Sequence, residues 1–536
     1  MERKHSMFAR NLSRRHFVQG LALGAAGLAL NSTIGCGGGT SSSQTTISGP
    51  STPVVAQPVR GGTLIYVQSA DLVAKALTNT SAPGNFPYLA LYDRLAGYRI
   101  DKLVPEPELA ESWQFSADYT SLTMKVRSGV KFHTGRTMTS EDVRWNIARV
   151  ADPASASQVM NMAKWVQKVE TPDESTVVLH FDQPRPSIFD FFEYLFIVDQ
   201  ETYQDHLDGK RFVGTGAFKF KEWVPGDHFT MVRNPDYWQK DLPYLDEITM
   251  KVLPDASTRL MNLQTGTADI GIDIDPRDAK SLESDKRFIV DHLPLATAIW
   301  YMGLDLQVPL LADKRVRQAI AYLIDRKRIV DTQLMYGEPM CLPWDKASPA
   351  YDPELASRFD YNPAKAKDLL TQAAITGAPS LTITNNNAAP KSAPMAEIMQ
   401  AELTKLGWKV SVDNLAAAEY LDRWSKGQFR GLWFGTASFM HMNPSSLFVM
   451  AVPFRVPNAS NFTSSQYTSL ITDMLKTGDE TQSKKLYRQM NELLLDECFV
   501  LPVSSDDRYV VRTSKIGALP VMRSGPPKLA RAWKSK

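Results

Sequence analysis

The stretch "GTGAFKFKEWVPGDHFTMVRNPDYW", Gly214–Trp238, predicts a β-hairpin in the middle of the chain. Apolar and polar residues alternate on both sides of Pro225-Gly226, which is the pattern of two antiparallel strands joined by a tight turn. Gly214 and Gly216 allow a tight backbone turn before the first strand. We therefore expect these residues to shape the fold rather than to bind a ligand.

On both sides of this hairpin, predicted strands and helices mix along the chain without a repeat period. Strands are expected where apolar residues alternate with polar ones, and helices where they recur every three or four residues. The strand segments are "GGTLIYVQSA" from Gly61, Ser121–Phe132 and Ser175–Phe181. The helix segments are Thr139–Val150, Val316–Val330, Asn362–Ala373 and Ala393–Gly407. The fold class is therefore α/β or α+β, and 536 residues exceed one core, so we expect several lobes.

The N-terminal segment has the features of an export signal. Arg14 and Arg15 precede an uncharged run, residues 17–30, that is too short to span a membrane. Ser13–Val18 resembles the twin-arginine signal, whose substrates cross the membrane folded, although a chance arginine pair in a Sec-type signal is the alternative. We expect residues 1–35 to be a twin-arginine-type signal peptide. Its loss changes the formal charge from +2 to −2, which does not favour nucleic-acid binding.

Cys36 follows small residues in a pattern that resembles a lipobox, except that Thr33 stands where lipoproteins usually carry leucine. Lipidation of Cys36 would anchor the protein to the outer face of the membrane, and a soluble secreted form is the alternative. Residues 36–58 are rich in Gly, Ser, Thr and Pro and are expected to form a flexible tether.

Two further cysteines, Cys341 and Cys498, either form one disulfide or stay buried as small apolar residues. The sequence contains no CxxC, no HExxH and no clustered histidines, so we expect neither a metal site nor a cofactor. It also lacks a GxSxG element, which weighs against the alternative of an extracytoplasmic hydrolase.

Five segments occur in the order found in one protein family, and they span most of the chain that follows the tether. They are "VRSGVKFHTGRTMTSEDV" (Val126–Val143), the hairpin stretch Gly214–Trp238, "DKRVRQAIAYLIDRKRI" (Asp313–Ile329), "YNPAKAKDLL" (Tyr361–Leu370) and "ASNFTSSQYTSLI" (Ala459–Ile471). Together they resemble the ABC-transporter solute-binding proteins of the dipeptide, oligopeptide and nickel-binding family, which are periplasmic binding proteins of extracellular solute-binding protein family 5.

The resemblance implies a two-lobed periplasmic binding protein-like α/β fold of the cluster C type, with an extra domain inserted in the first lobe. Lobe I would comprise residues 60–104, 213–290 and 503–536, the inserted domain 105–212, and lobe II 291–502. It also implies an exported, monomeric binding protein, not an enzyme, that captures a small solute between its lobes and delivers it to an ABC permease and its ATPase. A sensor or chaperone that hands the solute to a receptor is a further alternative.

The segment Leu432–Pro444 is the part of the chain that the resemblance places at the ligand cleft. Peptide-binding members carry an aspartate there for the ligand's ammonium, because a buried ammonium without a carboxylate is costly. Here the loop offers Thr436, Ser438 and Asn443, and no carboxylate. We therefore expect an uncharged polar solute, or at least not a free zwitterionic peptide; a di- or oligopeptide is the alternative.

Aromatic side chains are expected to complete the ligand site, because they cover the apolar faces of polar ligands such as sugars. The other predicted contacts are Trp433, Phe434, Phe439, Trp300, Tyr301 and Trp344, with Asp71 as the residue that would supply a charge if the solute is a peptide. His441 is a weaker candidate ligand.

Overall fold

The structure is a computed structural model. It describes residues 57–77, 86–155, 157–292, 298–389, 391–517, 519–523 and 527–535. Arg14, Arg15 and Cys36, together with the predicted signal peptide and most of the predicted tether, lie outside these residues.

The described residues form four sheets and the helices that pack on them. The strands are β1 (Thr63–Gln68), β2 (Ala96–Tyr98), β3 (Pro105–Pro107), β4 (Ala110–Phe115), β5 (Ser121–Val126), β6 (Val166–Asp173), β7 (Thr176–Phe181), β8 (Phe218–Val224), β9 (His228–Arg233), β10 (Glu247–Val252), β11 (Ile270–Gly271), β12 (Phe288–His292), β13 (Ala298–Leu304), β14 (Ser380–Asn386), β15 (Lys409–Leu415), β16 (Leu432–Ser438), β17 (Val500–Ser505) and β18 (Tyr509–Thr513). The α-helices are α1 (Tyr88–Leu91), α2 (Ser140–Ala151), α3 (Met160–Ala163), α4 (Phe189–Phe192), α5 (Tyr203–Leu207), α6 (Ala256–Gln264), α7 (Pro276–Leu282), α8 (Pro309–Ala312), α9 (Lys314–Leu323), α10 (Arg326–Ile329), α11 (Pro363–Gln372), α12 (Ser392–Lys405), α13 (Ala417–Lys426), α14 (Pro444–Met450), α15 (Ser465–Lys476) and α16 (Glu480–Glu497).

The first large sheet has seven strands in the order β12-β18-β11-β1-β10-β9-β8. Its strand β1 runs parallel to β10 and β11, and β8 pairs with β9 as the antiparallel hairpin predicted from Gly214–Trp238. Gly216 is required where the chain enters this hairpin, since a Cβ there would lie 2.4 Å from the Ala90 carbonyl oxygen. We call this sheet and its helices the seven-stranded module.

A four-stranded antiparallel sheet of order β4-β5-β7-β6, with helices α2 to α5, forms the four-stranded module. The predicted inward positions of β5, Leu122 and Met124, are fully buried, as are Val143 and Val150 on one face of α2. Helix α2 begins with a capping box, in which Thr139 and Asp142 satisfy each other's backbone N–H groups. The alternation and the helical periodicity of this region are therefore confirmed.

The second large sheet has the order β15-β14-β16-β13-β17 and, with helices α8 to α16, forms the five-stranded module. The helix predicted over Val316–Val330 is interrupted at Ile324 and Asp325, because the Asp325 side chain accepts the Arg328 N–H and starts a second helix, α10. The alternation of helices and strands confirms the α/β class.

The chain passes between the two large sheets twice, from β12 to β13 and from β17 to β18. The strands of the three modules fall within the predicted segments, except that β12 ends at His292 and β17 ends at Ser505. The domain bounds themselves stay a prediction, because membership of a sheet does not define where a lobe ends.

Cys341 and Cys498 are free thiols, and both are buried. The Cys498 thiol donates a hydrogen bond to the Leu495 carbonyl oxygen at 3.1 Å, and burial raises the pKa of this thiol above its ordinary range. Of the two alternatives, the structure therefore favours small buried residues over a disulfide.

Arg326 joins separate segments of the five-stranded module. Its buried guanidinium donates to the carbonyl oxygens of Met340 (2.9 Å), Pro502 (3.0 Å) and Phe359 (2.8 Å). A planar group with five donors can satisfy several carbonyls at once, which a lysine ammonium cannot do in the same geometry.

We expect Arg326→Lys to lower the free energy of unfolding by about 2–4 kcal/mol, because buried carbonyls lose their donors. Arg328→Lys, two residues further on and exposed, is the control and should change it by less than about 0.5 kcal/mol. Urea unfolding followed by circular dichroism measures both. Equal losses in the two variants would contradict this account of Arg326.

Candidate functional site at the crossover between the large sheets

A cavity of about 750 Å³ lies beside the crossover from β17 to β18. It is lined by residues 338–342 and 344–347, by part of the segment 351–360, and by Ser505 and Asp507. Its volume falls in the range of sites that hold small molecules, and the crossover is where the chain passes from one large sheet to the other. The cavity is therefore the strongest candidate for a solute site among the described residues.

Trp344 forms part of the wall of this cavity. The side chain is buried, its indole N–H donates to Asn491 Oδ1 at 2.7 Å, and its ring meets Phe448 edge-on at 6.1 Å. A ring that is fixed in this way makes this part of the cavity wall rigid, although only 3% of Trp344 is exposed.

Carboxylates are the main charged groups at the cavity. Glu338 forms an ion pair with Lys346 at 2.8 Å, whereas Asp507 has no ion-pair partner among the residues that the structure describes. Burial raises the pKa of Asp507, and the nearby carboxylates of Asp506 and Glu338 raise it further. Such a lining accepts hydrogen bonds, and it suits a solute that is rich in hydroxyl or amide donors.

Phe439, which follows β16, packs against the four-stranded module. Its ring meets the ring of Tyr194 edge-on at 5.9 Å, and the side chain is buried. Its backbone has a φ of +79°, which a non-glycine residue adopts only where the surroundings hold it. The loop predicted to face the ligand is therefore constrained from outside its own module.

Residues 439–446 meet the rest of the molecule through polar contacts, and we call this region the seam. The Tyr194 hydroxyl and His441 Nε2 are 2.8 Å apart, and the His441 carbonyl accepts from Arg523 Nε at 2.7 Å. Arg523 also donates to the Ile100 carbonyl at 3.1 Å, and it interacts electrostatically with Asp345 at the cavity. Arg523 thus links the seam to the cavity.

Asn443 and Asp190 form the other half of the seam. The Asn443 backbone N–H lies 3.2 Å from each carboxylate oxygen of Asp190, and Ser446 Oγ donates to the same carboxylate at 2.5 Å. The Asn443 side chain is turned to its own helix, where Oδ1 accepts the Ser445 N–H at 3.0 Å. Sequence reasoning missed Asp190 and Arg523, because nothing local in "IFDFFEY" or near Arg523 signals a partner so distant in the chain.

Of the residues predicted to contact the solute, Trp344 is the one that lines the cavity in the described part of the chain. Trp433 and Phe434 are buried in the five-stranded module, where Trp433 stacks on Phe429 with 4.4 Å between ring centroids. Thr436 is exposed and Ser438 half-buried, at the end of the same strand.

Trp300, Tyr301 and Asp71 make contacts within the fold. The Trp300 indole donates to Asp506 Oδ1 at 3.0 Å, next to the crossover, and the Tyr301 hydroxyl accepts from Trp424 at 2.8 Å. Asp71 accepts the Gly226 N–H at 2.7 Å and the Trp223 indole N–H at 3.1 Å, which holds the tip of the β8-β9 hairpin. The predicted roles of all these residues in ligand binding stay predictions.

A family model described as bacterial extracellular solute-binding proteins, family 5, matches residues 104–453. The chain belongs to this family. It is 25% identical over 452 residues to heme-binding protein A of Haemophilus influenzae. This match covers 77% of this chain and 81% of that protein. It is likewise 25% identical over 422 residues to the glutathione-binding protein GsiB of Escherichia coli K12, covering 74% of this chain and 79% of the other.

The structure is similar to the periplasmic binding protein AgaA of A. tumefaciens R10, solved in complex with agropinic acid. The TM-score is 0.75 at 25% identity, and the match covers 89% of this chain and 99% of AgaA. The predicted periplasmic binding protein fold is therefore confirmed, and so is the function of a solute-binding protein of an ABC importer. Members of the family work outside the cytoplasm, and no helix among the described residues is long and apolar enough to cross a membrane.

Trp433 fills the space left by a glycine on the neighbouring strand. A Cβ at Gly303 would lie 2.1 Å from Cζ2 of the Trp433 indole. We expect Gly303→Ala to lower the free energy of unfolding by about 1–3 kcal/mol, the usual cost of overfilling a packed core. Urea unfolding measures this.

The double variant Gly303→Ala/Trp433→Phe tests the cause, because phenylalanine lacks the ring atoms that the new methyl group would meet. The two changes together should cost less than the sum of the single changes. Additive losses would show that the close approach of Gly303 and Trp433 is not what makes the glycine necessary.

Proposed function

We propose that this protein captures a small polar solute in the cavity beside the crossover and closes its two lobes around it. The first lobe would consist of the seven- and four-stranded modules, and the second of the five-stranded module. The solute shifts the population to the closed form because it contacts both lobes only there. The closed complex then docks on the permease of an ABC importer, and no bond of the solute is broken. The cavity of about 750 Å³ at the crossover is the observation that carries this proposal.

The solute that fits best is uncharged and rich in hydrogen-bond donors. The carboxylates at the cavity accept such donors, and Trp344 supports the cavity wall. The loop after β16 has no carboxylate to pair with a peptide ammonium. The named relatives bind heme, glutathione and agropinic acid, which are chemically unlike one another, so relationship alone does not select a solute.

A di- or oligopeptide is the second candidate. Asp507 supports it, since this half-buried carboxylate has no ion-pair partner among the described residues and is suited to an ammonium group. The two candidates differ in the solute and not in the mechanism of capture.

Export and anchoring complete the proposal. The Arg14-Arg15 pair would direct the folded chain through the twin-arginine route, and a lipid on Cys36 would keep it at the outer face of the membrane as a monomer. Mass spectrometry of the membrane-extracted protein tests this through the mass of an acylated N-terminal peptide that begins at Cys36.

Native mass spectrometry of protein purified from cells should show a co-purified small molecule, and adding that molecule back should raise the melting temperature. Trp344→Leu should weaken its binding at least about tenfold, because it removes the contacts with Asn491 and Phe448 that fix this part of the cavity wall. Trp145→Leu is the control and should leave affinity within about twofold, because Trp145 packs on Tyr203 in the four-stranded module, away from the cavity.

Three outcomes would count against this account. Consumption of the molecule by the purified protein would indicate an enzyme. A peptide as the bound molecule would favour the second candidate. Equal effects of the two tryptophan variants would remove the cavity from the proposed site.

A further inference from the structure

The Asp190 carboxylate lies between two modules. Helix α4, which carries it, belongs to the four-stranded module, where Phe189 of the same helix packs on Trp113 of β4 with 5.0 Å between ring centroids. Its hydrogen-bond partners Asn443 and Ser446 follow β16 in the five-stranded module. One side chain thus bonds two parts of the chain that are 253 residues apart.

These contacts satisfy a group that is costly to bury. The Asp190 side chain has no exposed surface, and its carboxylate accepts the Asn443 N–H, the Ser446 hydroxyl and the Tyr98 hydroxyl. A carboxylate in such a place is tolerated only when donors surround it. Removal of the carboxylate would leave the buried Asn443 N–H without its acceptor, which costs more than the loss of one surface hydrogen bond.

The loop before Asn443 is the segment that the family resemblance places at the ligand. Within it, Phe439 keeps its φ of +79° while its ring packs on Tyr194, four residues after Asp190. The four-stranded module therefore contacts both ends of residues 439–443. Arg523 connects the same loop to Asp345 at the cavity.

We infer that Asp190 is a positioning residue for closure of the lobes, which fixes the conformation of residues 439–443 and keeps the four-stranded module against the second lobe. This inference rests on the proposed function, because it takes closure of the lobes to be the binding event. Asp190 acts through Asn443 and Ser446 and need not touch the solute.

The pH dependence of the seam follows from the groups around Asp190. Glu193 and Tyr98 face it from its own side, His441 and Tyr487 lie on the second lobe, and Arg523 approaches from the C-terminal segment. Burial raises the pKa of Asp190 to about 6, and the hydrogen bonds from Ser446, Asn443 and Tyr98 oppose this rise.

When the seam opens, Asp190 loses burial, and its pKa falls toward the ordinary value. The closed seam therefore binds the proton more readily than the open one. It follows that the seam becomes more stable as the pH falls through about 6, by up to about fourfold between pH 7.5 and pH 5.5.

Hydrogen–deuterium exchange of the full chain, resolved by peptides and without added solute, tests the inference. In Asp190→Ala, which removes both acceptor oxygens, the peptide that covers residues 439–447 should exchange at least about tenfold faster than in the wild type. Asp142→Ala is the matched control: Asp142 is equally buried in the four-stranded module, but it caps helix α2, pairs with Arg136 and does not contact the second lobe. It should leave this peptide unchanged.

The pH profile separates positioning from a general loss of stability. After correction for intrinsic exchange rates, protection of residues 439–447 in the wild type should rise by up to about fourfold from pH 7.5 to 5.5, and it should be flat in Asp190→Asn, which keeps one acceptor oxygen and does not titrate. Ser446→Ala removes one donor only and should give a smaller increase in exchange of the same peptide, about two- to fivefold, if Asp190→Ala does not fold.

Unchanged exchange of residues 439–447 in Asp190→Ala, or an equal increase in Asp142→Ala, would overturn the inference. The same holds for an identical pH profile in the wild type and Asp190→Asn. None of these results depends on a solute, so they are separate from the native mass spectrometry that tests solute capture.

Discussion

The two passages of the chain between the large sheets constrain how the modules can move against each other. Because β12 leads to β13 and β17 leads to β18, the seven- and five-stranded modules are tied by two covalent connections. Two such connections allow rotation of one body against the other and resist sliding, which is the hinge type of domain motion. The cavity lies beside the second passage, close to the place about which the modules would rotate.

The polar groups of the seam complement this hinge. Buried charges contribute little net stability, since the loss of hydration offsets most of what their partners supply. They do specify geometry, because Asp190 and Arg523 are satisfied in one arrangement of the loop 439–446 and not in a shifted one. The apolar contact between Tyr194 and Phe439 adds surface without such selectivity. Polar and apolar contacts thus occur together at the seam. This combination suits a lobe closure that is reversible and ends in one defined geometry.

Local patterns predicted local structure well. The β8-β9 hairpin, the buried face of β5 and the buried face of α2 follow from alternation and periodicity, which depend on residues close in the chain. The helix break at Asp325 was not predicted, because the apolar periodicity continues through it. The break depends on one hydrogen bond, in which the Asp325 side chain accepts the Arg328 N–H. The family could be inferred from the sequence alone, since its five segments occur in order along the chain.

The site was less predictable, for reasons that are physical. Trp433 is predicted to contact the solute, and the face that it occupies depends on the pairing of β16 with β13 and on the missing side chain at Gly303. Asp71 is predicted to supply a charge to a peptide solute, and its carboxylate accepts hydrogen bonds from a hairpin tip 155 residues further along the chain. The role of Asp190 could not be predicted from the sequence. It depends on the contacts of Asp190 with Asn443 and Ser446, which no sequence pattern links to it.

The two buried thiols have a consequence for where the protein can mature. Cys341 and Cys498 remain unlinked, so the described fold is complete without an oxidant or a disulfide isomerase. Such a polypeptide can reach its final shape in the reducing cytosol. Complete folding before transport is what a translocon for folded proteins requires of its substrates.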